Sequence, residues 1–367
     1  MSDFEKDKIK SELKEKIKAI IEEKTEFSYL NNDEKTADII LQIIDSDGII
    51  PDSLQDFNSR FNELPKKADL ILVAAPTGAG KDSLVRRIKY REPEKNYIEL
   101  NMDRFRHYFS EFIPDVSVLQ DRNFAKKTNE FSYEIYYTIQ ELLLQEFPGT
   151  NIIITGTLWE KDWIEEVFKK YKSNKNTDYN ITISSLAVPI KDSAFSIISR
   201  YVKIIDQGIK KIDDDGKIVY ENGFIPGTAR YTALDYHDET YNRFLGNLDY
   251  FEKMFRSNKL VDKMEVYRRA AKRCDYSENT LVYSSDNPED AEKTAVQVVQ
   301  ELRNGESQVK SGEFKELANI IRKEKNKQYF RDQRVALEIL TNLISIYKGD
   351  VRSTEDLIDS KNPEGRS

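Results

Sequence analysis

The amino-acid sequence predicts an α/β fold, in which a parallel sheet is flanked by helices and helical appendages follow at both ends. Three observations support this prediction. Apolar runs of strand length recur along the chain, helical patterns separate them, and a glycine-containing turn joins the first run to the next helix. The apolar runs are 69–74, 97–100, 151–155, 182–188 and 280–283.

Residues 1–65 are predicted to form a helical N-terminal segment. In 4–23, lysine and glutamate alternate around a narrow stripe of isoleucine and leucine at helical spacing. A second helical pattern covers 33–44 and a third covers 53–63. Because the stripe in 4–23 is apolar on one side, we expect this helix to pack against a partner surface.

The α/β domain is predicted over 66–308. Parallel neighbours require a crossover connection, so strands that alternate with helices favour a single sheet wrapped by helices. A polar segment at 213–223 predicts a small hairpin or loop, a candidate part of a lid. The predicted helices of this domain cover 83–90, 123–145, 161–171, 192–205, 241–256 and 288–302.

Residues 309–367 are predicted to form a helical C-terminal extension. Helical patterns occur around 317–321 and 336–344, and a polar end follows. The sequence of this extension indicates no function.

Composition and charge exclude several classes of protein. Hydrophobic residues make up 39% and charged residues 33% of the 367 residues, as in soluble globular proteins. The net charge of −8 argues against nucleic acid as a partner, because binding to the phosphate backbone requires a basic surface. The single cysteine, Cys274, and the lack of a signal peptide or long apolar run predict a cytoplasmic protein with no membrane contact.

A phosphate-binding loop is predicted between the first apolar run and the helix after it. Such a loop needs small residues, which let backbone N–H groups turn towards an anion, and a lysine that reaches the outer phosphates. Gly78, Gly80 and Lys81 have the required spacing. The predicted nucleotide-binding residues, here called the phosphate loop, are Ala75, Pro76, Thr77, Gly78, Ala79, Gly80, Lys81, Asp82 and Ser83.

Two positions of the phosphate loop depart from the pattern G-x-x-x-x-G-K-[ST]. Ala75 replaces the first glycine, which is a mild change because alanine adopts most conformations with negative φ. Asp82 replaces the hydroxyl residue that ordinarily ligates Mg²⁺, and its carboxylate is a candidate ligand for that ion or for a bound water. Glycine-rich turns also occur without a ligand, but the buried strand before the loop and the amphipathic helix after it favour nucleotide binding.

Asp103 follows the second apolar run, so it is predicted to lie at the carboxyl end of a strand. Ligands of open parallel sheets bind at that edge. A carboxylate that faces the γ-phosphate of a nucleotide can accept the proton of an attacking hydroxyl, which is the general-base role in phosphoryl transfer. The alternative is that Asp103 is the N-cap of the following helix.

Four further residues are candidates for contacts with substrate or phosphate. Thr155 and Thr157 end the third run at the same sheet edge, where their hydroxyls can bind a substrate, and a turn or helix cap is the alternative. Arg200 on a predicted helix and Arg230 in a predicted loop offer planar, bidentate contacts to phosphoryl oxygens. The alternative for both arginines is an ordinary surface position.

Six short motifs, taken in order, resemble the zeta-toxin family of bacterial toxin–antitoxin kinases. After the phosphate loop come N-M-D-R-F-R at 101–106, I-I-T-G-T at 153–157, A-V-P at 187–189, S-R-Y at 199–201 and T-A-R-Y at 228–231. The run L-V-Y-S-S at 281–285 also matches the last strand of that family. The similarity covers residues 66–305.

The resemblance implies a P-loop kinase that uses ATP and Mg²⁺ to phosphorylate the 3′-hydroxyl of the sugar nucleotide UDP-N-acetylglucosamine and so blocks cell-wall synthesis. It implies that Lys81 binds the ATP phosphates and that Asp103 is the general base. It also implies that Arg200 and Arg230 clamp the phosphates from a lid. The predicted substrate-binding residues are Asp103, Arg106, Thr155 and Thr157.

The sequence departs from the family mainly at the substrate side. Family members usually have glutamate at the position of Thr155, where it helps to hold the sugar nucleotide. The turn after Asp103 is also altered, around Arg106 and His107. Two other functions therefore remain open. One, favoured by the missing carboxylate at Thr155, is a kinase of the same fold that acts on a hydroxyl of another nucleotide, a dinucleotide or a small molecule. The other, favoured only by the two departures within the phosphate loop, is a catalytically silent nucleotide-binding module.

The helical segment 1–65 has two interpretations. Members of the resembled family are inhibited by a separate helical antitoxin or, in some single-chain members, by a fused N-terminal helical segment that obstructs the nucleotide site. The resemblance therefore implies an antitoxin partner or inhibition in cis by 1–65. The alternative is an ordinary helical cap that buries part of the core.

Overall fold

The computed structural model describes most of the chain. Among the predictions that fall outside the described residues are the helix at 53–63, Cys274, Arg230 and the helical pattern at 336–344. The described residues are 3–31, 33–46, 66–109, 127–158, 160–212, 218–221, 234–257, 260–270, 279–305, 307, 309, 311–323, 326 and 329.

A mixed, mostly parallel sheet lies at the centre of the fold. The strands found in the described ranges are β1 Lys66–Ala74, β2 Ile98–Leu100, β3 Ile152–Gly156, β4 Thr177–Ala187, β5 Ile209–Ile212, β6 Ile218–Tyr220, β7 Lys263–Arg268 and β8 Thr280–Ser284. Six of them form one sheet in the order β2-β3-β1-β4-β7-β8. Both neighbours of β1 come later in the chain, since Leu70 pairs with Ile152 and Lys66 pairs with Thr177. The predicted fold class is confirmed.

Helices separate these strands at the predicted places and extend the fold at both ends. In the part of the chain that the structure describes, none of the helices is long and apolar enough to cross a membrane. The α-helices are α1 Asp3–Glu22, α2 Glu34–Ser46, α3 Lys81–Arg91, α4 Met102–Phe105, α5 Asn129–Glu146, α6 Lys161–Lys172, α7 Ile190–Gly208, α8 Leu234–Arg256, α9 Ala295–Arg303 and α10 Ser311–Arg322. Short 3₁₀ helices cover Pro93–Lys95, Arg106–Tyr108 and Pro288–Asp290.

Both faces of the sheet are buried, and β1 shows this directly. Leu70 and Leu72 belong to the larger hydrophobic cluster, together with side chains of α5, α6 and α8. Ile71 and Val73 belong to a second cluster, together with side chains of α3. Successive side chains of a strand point to opposite faces, so the continuous apolar run in β1 results from helices on both sides.

The N-terminal helices share the larger cluster with the sheet. Ile9, Leu13 and Ile17 of α1 are fully buried, and they pack in the same cluster as residues of β1 and α5. α1 contacts both α2 and α5. The partner surface that the stripe in 4–23 requires is therefore provided by α2 and α5.

Two features of the sheet differ from the prediction. β7 was not among the predicted strands, because charged residues interrupt its apolar pattern. Its buried Glu265 accepts hydrogen bonds from Ser184 Oγ at 2.9 Å and Tyr267 OH at 3.1 Å, and it forms an ion pair with Lys263 at 3.1 Å. β8 runs antiparallel to β7 at the sheet edge, whereas the other five strands are parallel.

The insertion predicted at 213–223 overlaps a pair of antiparallel strands. β5 and β6 flank 213–217 and pair with each other, with a register shift between Ile209 and Lys211. This pairing confirms the hairpin, and residues 222–230 lie outside the described residues.

Candidate active site

The phosphate loop joins the carboxyl end of β1 to the first turn of α3. Gly78 and Gly80 have φ angles of 79° and 98°, in the left-handed region that glycine adopts at low cost. Gly80 is the N-cap of α3 and has no side chain to cap the helix. A helix N-terminus reached through a glycine turn is a favourable position for an anion.

Gly78 lies against the first turn of α7. A Cβ atom at this position would be 2.3 Å from the carbonyl oxygen of Ser193 and 2.7 Å from Cγ1 of Ile197. Contacts this close, together with the positive φ, admit only glycine. The loop is therefore held between β1, from which it emerges, and α7.

Lys81 folds back over the loop. Its Nζ lies 3.2 Å from the carbonyl oxygen of Ala75. Burial lowers the pKa of Lys81, the carboxylates of Asp103 and Asp82 oppose this shift, and the guanidinium of Arg200 adds to it. The Lys81 ammonium group is therefore subject to the charges of two carboxylates and one guanidinium.

The alanine at the start of the loop fits its backbone. Among the described residues, the non-glycine positions with positive φ are Asn96 and Leu158, so Ala75 has a conformation open to any residue. Ala75 is fully buried, and its N–H donates to the carbonyl oxygen of Gly156 at 3.2 Å. The carbonyl oxygen of Pro76 accepts from Ala79 N–H at 3.2 Å, which closes the turn.

Asp82 and Ser83 lie in the first turn of α3 and have different surroundings. Asp82 is exposed and acts electrostatically on Lys81. Ser83 Oγ donates to the carbonyl oxygen of Gly80 at 2.7 Å and accepts from Asn279 Nδ2 at 3.0 Å. Ser83 therefore links α3 to the residue that precedes β8.

Asp103 lies in α4, directly after β2. The N-cap of α4 is Asn101, whose Oδ1 accepts from the N–H of Asp103 at 3.0 Å. The interpretation of Asp103 as the N-cap is therefore wrong. The side chain of Asp103 is 57% exposed, and its Oδ1 accepts from Arg106 Nε at 3.1 Å.

Arg106 is buried, and its guanidinium hydrogen-bonds to several protein groups. Besides Asp103, its partners are Thr128 Oγ1, 2.9 Å from Nη1, and Asn129 Oδ1, 2.6 Å from Nη2. Its guanidinium links the Asp103 carboxylate to the start of α5. This arrangement is that of a residue that positions Asp103.

Thr155 and Thr157 are half-buried at the carboxyl end of β3. Thr155 pairs in register with Val73 of β1, one residue before the strand ends at Ala74. β3 lies between β2 and β1 in the sheet. The two threonines therefore lie at the sheet edge between Asp103 and the phosphate loop.

The structure describes one of the two predicted arginines. Arg200 is exposed on α7 and acts on Lys81. Arg230 lies outside the described residues, so its role stays a prediction. α7 packs against Gly78, so Arg200 lies on a helix that borders the phosphate loop.

Arg269 lies beside the loop and was not predicted. It directly follows β7, and its Cδ is 3.8 Å from the position of a Cβ built on Gly80. Its Nη2 donates to Asp192 Oδ2 at 3.1 Å and its Nη1 to Ser196 Oγ at 3.3 Å. The signal that could have found Arg269 is its place at the carboxyl end of a parallel strand, but β7 itself was missed.

A polar chain that runs from the exposed Asp238 through the buried His237 to Ser193 joins α8 to α7 next to the loop. Ser193 Oγ is 2.7 Å from His237 Nε2, and His237 Nδ1 is 2.9 Å from Asp238 Oδ1. Burial lowers the pKa of His237, Asp238 opposes the shift, and the charge of Arg303 adds to it. Because the carbonyl oxygen of Ser193 faces Gly78, this chain supports the wall of the loop.

The described residues contain no group of three or more His, Cys, Asp or Glu side chains placed to hold a metal ion. In nucleotide sites, Mg²⁺ is bound by one or two carboxylates together with the phosphates and waters. Asp82 and Asp103 fit that arrangement, because both carboxylates are exposed and both act on Lys81.

Comparisons with known proteins agree with this geometry. The family model described as "Zeta toxin" matches residues 52–281, more than half of the chain. No curated protein matches the chain significantly. A solved structure from the PezAT chromosomal toxin–antitoxin system of Streptococcus pneumoniae has a TM-score of 0.51 and 19% identity, and the match covers 86% of this chain and 99% of that one. At this identity, the likeness concerns the fold.

Two more distant structures are of the AvrRxo1-ORF1:-ORF2 complex. The native complex matches with a TM-score of 0.46 and 10% identity, over 89% of this chain and 88% of that one. The complex with ATP matches with a TM-score of 0.45 and 10% identity, over 86% of each chain. These scores are too low to support an inference about this chain.

Proposed function

The chain belongs to the zeta-toxin family, and from this premise we propose that it is an ATP-dependent kinase that phosphorylates a hydroxyl of a sugar nucleotide. The acceptor that we favour is the 3′-hydroxyl of UDP-N-acetylglucosamine. One observation carries the proposal, namely that Lys81 and Asp103 follow the carboxyl ends of parallel strands in one sheet, beside the helix α7 that carries Arg200 and packs against the phosphate loop.

The nucleotide half of the site is the phosphate loop. In the proposed complex, backbone N–H groups after Gly78 donate to phosphate oxygens at the N-terminus of α3. Lys81 Nζ moves from the carbonyl oxygen of Ala75 to the outer phosphates. Burial lowers the pKa of Lys81, and the negative charge of the phosphates opposes this shift. The ammonium form is therefore stabilised when nucleotide is bound.

The transfer half of the site is Asp103. Its carboxylate accepts the proton of the acceptor hydroxyl while that oxygen forms a bond to the γ-phosphorus. The bond from this phosphorus to the bridging oxygen breaks, and ADP leaves with the electron pair. Arg200 stabilises the charge on the transferring group, and Arg230 is proposed to do the same from the lid.

Mg²⁺ would be held by Asp82, directly or through water, and by phosphate oxygens. When bound, it supplies charge neutralisation and orients the phosphates. The exposed carboxylate of Asp82 supports this assignment.

The acceptor is the least constrained part of the proposal. Thr155 stands where members of the family usually have glutamate, so a carboxylate contact to the sugar is missing at that position. This difference favours a second candidate function, phosphorylation of a hydroxyl on another nucleotide, a dinucleotide or a small molecule. Thr155 and Thr157 line the same sheet edge in either case.

The discriminating experiment is a search for the phosphorylated product. The protein is incubated with ATP, Mg²⁺ and a metabolite extract, and mass spectrometry identifies each metabolite that gains the mass of a phosphate group. A parallel reaction uses pure UDP-N-acetylglucosamine, and NMR assigns the modified hydroxyl. A 3′-phosphorylated product supports the favoured acceptor, and a different phosphorylated metabolite supports the second candidate.

A reaction without any phosphorylated metabolite would contradict both kinase proposals. It would favour a catalytically silent nucleotide-binding module, which is the third interpretation. In the sequence, this third interpretation was supported by the two departures from the phosphate-loop pattern, Ala75 and Asp82. The ordinary backbone of Ala75 removes one of these two arguments.

Asp103→Asn tests the proposed base. We expect kcat to fall by about 100- to 10,000-fold, because the amide cannot accept the proton, while ATP binding is retained. The change preserves shape, and the amide oxygen can still accept from Arg106 Nε. Asp82→Asn is the control, and it should raise the Mg²⁺ concentration needed for half-maximal rate. An Asp103→Asn protein with unchanged kcat would remove Asp103 from the base role.

A protein inhibitor remains part of the proposal. The zeta-toxin family is one of toxins, and we propose that a partner antitoxin or residues 1–65 control the activity. Co-purification with a protein encoded beside this chain would support the first route. The second route is examined below against the contacts of the N-terminal helices.

A further inference from the structure

We propose that the connector between α1 and α2, residues 23–31, positions the segment that carries Asp103 and thereby promotes the reaction. Tyr29 is the positioning residue, and Glu134 of α5 holds the connector in place. The inference rests on the proposed kinase function. The Asp103 segment is defined here as residues 101–109.

Glu134 anchors the connector through backbone groups. Its buried carboxylate accepts from three consecutive N–H groups, those of Ser28 at 2.7 Å, Tyr29 at 2.9 Å and Leu30 at 2.8 Å. Ser28 Oγ adds a fourth hydrogen bond at 3.2 Å. Hydrogen bonds to a carboxylate are stronger than neutral ones, and a buried carboxylate that lost them would be destabilising. The path of the connector along α5 is therefore fixed.

The anchored connector places Tyr29 against the Asp103 segment. The ring centroid of Tyr29 is 6.0 Å from that of Phe109 and 6.1 Å from that of Phe131. Phe109 and Phe131 are 5.2 Å apart, with an interplanar angle of 89°. Tilted and edge-on rings at these distances attract each other. The connector, the Asp103 segment and α5 thus contribute one ring each to an aromatic cluster.

The Asp103 segment is attached to α5 at two points. At the first, Arg106 joins the Asp103 carboxylate to Thr128 and Asn129. At the second, Phe109 packs in the aromatic cluster, where it is only 2% exposed. Tyr29 forms part of the second point. Without its ring, the end of the segment loses the aromatic contact between Tyr29 and Phe109.

The described contacts of α1 and the connector favour a role in supporting α5 over a role in obstructing the nucleotide site. Lys16 forms an ion pair with Glu146 at 3.1 Å, the Lys24 ammonium lies 4.4 Å from the Tyr137 ring centroid, and Phe27 packs edge-on against Tyr137 at 5.9 Å. These contacts run along α5, the helix that also carries the aromatic cluster. Weakening the contacts of an inhibitory segment would raise kcat, whereas weakening the contacts of a positioning segment would lower kcat.

The test compares two aromatic residues of the same connector in the full chain. Tyr29→Ala removes the contacts to Phe109 and Phe131, and Phe27→Ala removes the contact to Tyr137, which lies on the same helix but outside the aromatic cluster. We expect Tyr29→Ala to lower kcat by about 10- to 100-fold, because a displacement of the base by about 1 Å is sufficient for such a loss. ATP affinity should stay unchanged. Tyr29→Phe should restore kcat, because it keeps the ring.

A second readout does not depend on catalysis. Hydrogen exchange of residues 101–109, measured by mass spectrometry, should become faster in Tyr29→Ala and stay unchanged in Phe27→Ala. Glu134→Gln, which weakens the anchor without removing a ring, should give an intermediate increase and an intermediate loss of kcat.

Three results would overturn the inference. These are an unchanged kcat in Tyr29→Ala, an increased kcat in Tyr29→Ala, which would support inhibition in cis, and an equal loss in Phe27→Ala, which would indicate a general effect on stability. If the unaltered protein phosphorylates no acceptor, the proposed function fails instead. In that case, the exchange rates of 101–109 still decide whether Tyr29 positions the segment.

Discussion

The phosphate loop is controlled by individual backbone positions. Gly78 packs against Ser193 with a positive φ, so even one methyl group at this residue meets a carbonyl oxygen. At Ala75 the backbone is ordinary, and the methyl group is simply buried. The packing of the loop therefore requires glycine at position 78, and the first position of the pattern tolerates alanine.

Gly78→Ala should weaken both the fold and nucleotide binding. The new Cβ would lie 2.3 Å from the Ser193 oxygen, so either the loop or α7 must move. We expect a loss of about 1–3 kcal/mol in the free energy of unfolding, as for other overpacked sites. Denaturant unfolding and ATP titration measure the two effects.

Gly246→Ala is the matched control. Gly246 lies within α8, and a Cβ there would meet nothing within 4 Å. Alanine in a helix interior should stabilise the protein by about 0.5–1 kcal/mol and leave ATP binding unchanged. If both substitutions had the same effect, the close contact at Gly78 would not explain its role.

His237 should make stability depend on pH below neutrality. Burial lowers its pKa in the folded state from an ordinary value of 6.5, so the unfolded chain takes up a proton at higher pH than the folded chain does. Stability is therefore full above about pH 6.5 and decreases as pH falls through the folded-state pKa. The groups around the ring are Ser193, Asp238, Arg303 and Tyr241.

Thermal unfolding between about pH 5 and pH 8 measures this dependence. His237→Gln should flatten the decrease in melting temperature on the acid side of neutrality. The chain has two histidines, and the same measurement on His107→Gln shows what the other one contributes. A decrease that persists in His237→Gln would assign it to other groups.

Residue by residue, the sequence predicted where residues lie when a clearly apolar strand precedes them, and their chemical roles stay predictions. Gly78, Gly80, Lys81 and Asp103 are of this kind, because each follows a strand that the apolar runs mark. Arg269 could not be found in this way. Its place beside the loop depends on which strand lies next to β4, and that is decided by contacts between distant parts of the chain.

Among the elements, the strands and helices with a clear apolar pattern were the ones that the sequence predicted. β1 and α5 were found from their apolar patterns. β7 was missed because charged residues interrupt its apolar pattern. Its buried Glu265 forms ion pairs with Arg91 of α3 at 3.6 Å and with Lys263 of its own strand at 3.1 Å. Burial of a paired charge leaves no hydrophobic signal in the sequence.

One helix of the fold is capped by a side chain of another. The buried Glu252 of α8 accepts from the N–H groups of Ala295 at 3.2 Å and Val296 at 3.1 Å, at the N-terminus of α9. Thr294 and Gln297 complete a capping box at the same place. A carboxylate is favourable there because the first N–H groups of a helix need acceptors and carry partial positive charge.

Glu252→Gln should destabilise the protein by about 1–3 kcal/mol, because it removes the charge and one of the two acceptor oxygens from a buried site. Glu239→Gln, on the exposed surface of the same helix, is the control. Its ion pair with Arg243 is exposed, so we expect a change of less than about 1 kcal/mol. Chemical denaturation measures both, and equal effects would contradict the capping role of Glu252.

In the whole molecule, the N-terminal helices are part of one hydrophobic core with the kinase domain. Apolar side chains of α1, such as Leu13 and Ile17, are fully buried in the cluster that also contains residues of β1. The sequence showed that α1 needs a partner, but it did not indicate which surface. That choice depends on α5, which follows α1 by more than a hundred residues in the chain.

Ile17→Ala tests whether the core is shared. We expect a loss of about 2–5 kcal/mol and a single unfolding transition, because a cavity in this cluster affects the helices and the sheet together. Glu12→Ala, at an exposed position of α1, should change stability by less than about 0.5 kcal/mol. Two transitions, of which only one shifts in Ile17→Ala, would show that the N-terminal helices unfold separately.

The position of β1 between β3 and β4 affects when the phosphate loop can fold while the chain is being synthesised. β1 emerges from the ribosome before the other strands of its sheet, yet its register is completed only when Ala74 meets Gly156 and Ser185. Until then, the strand that supports the phosphate loop has no partners in the sheet, and long-range pairing of this kind is slow. A nascent chain that ends before β4 therefore lacks a formed nucleotide site, so kinase activity should begin only after most of the domain has been translated.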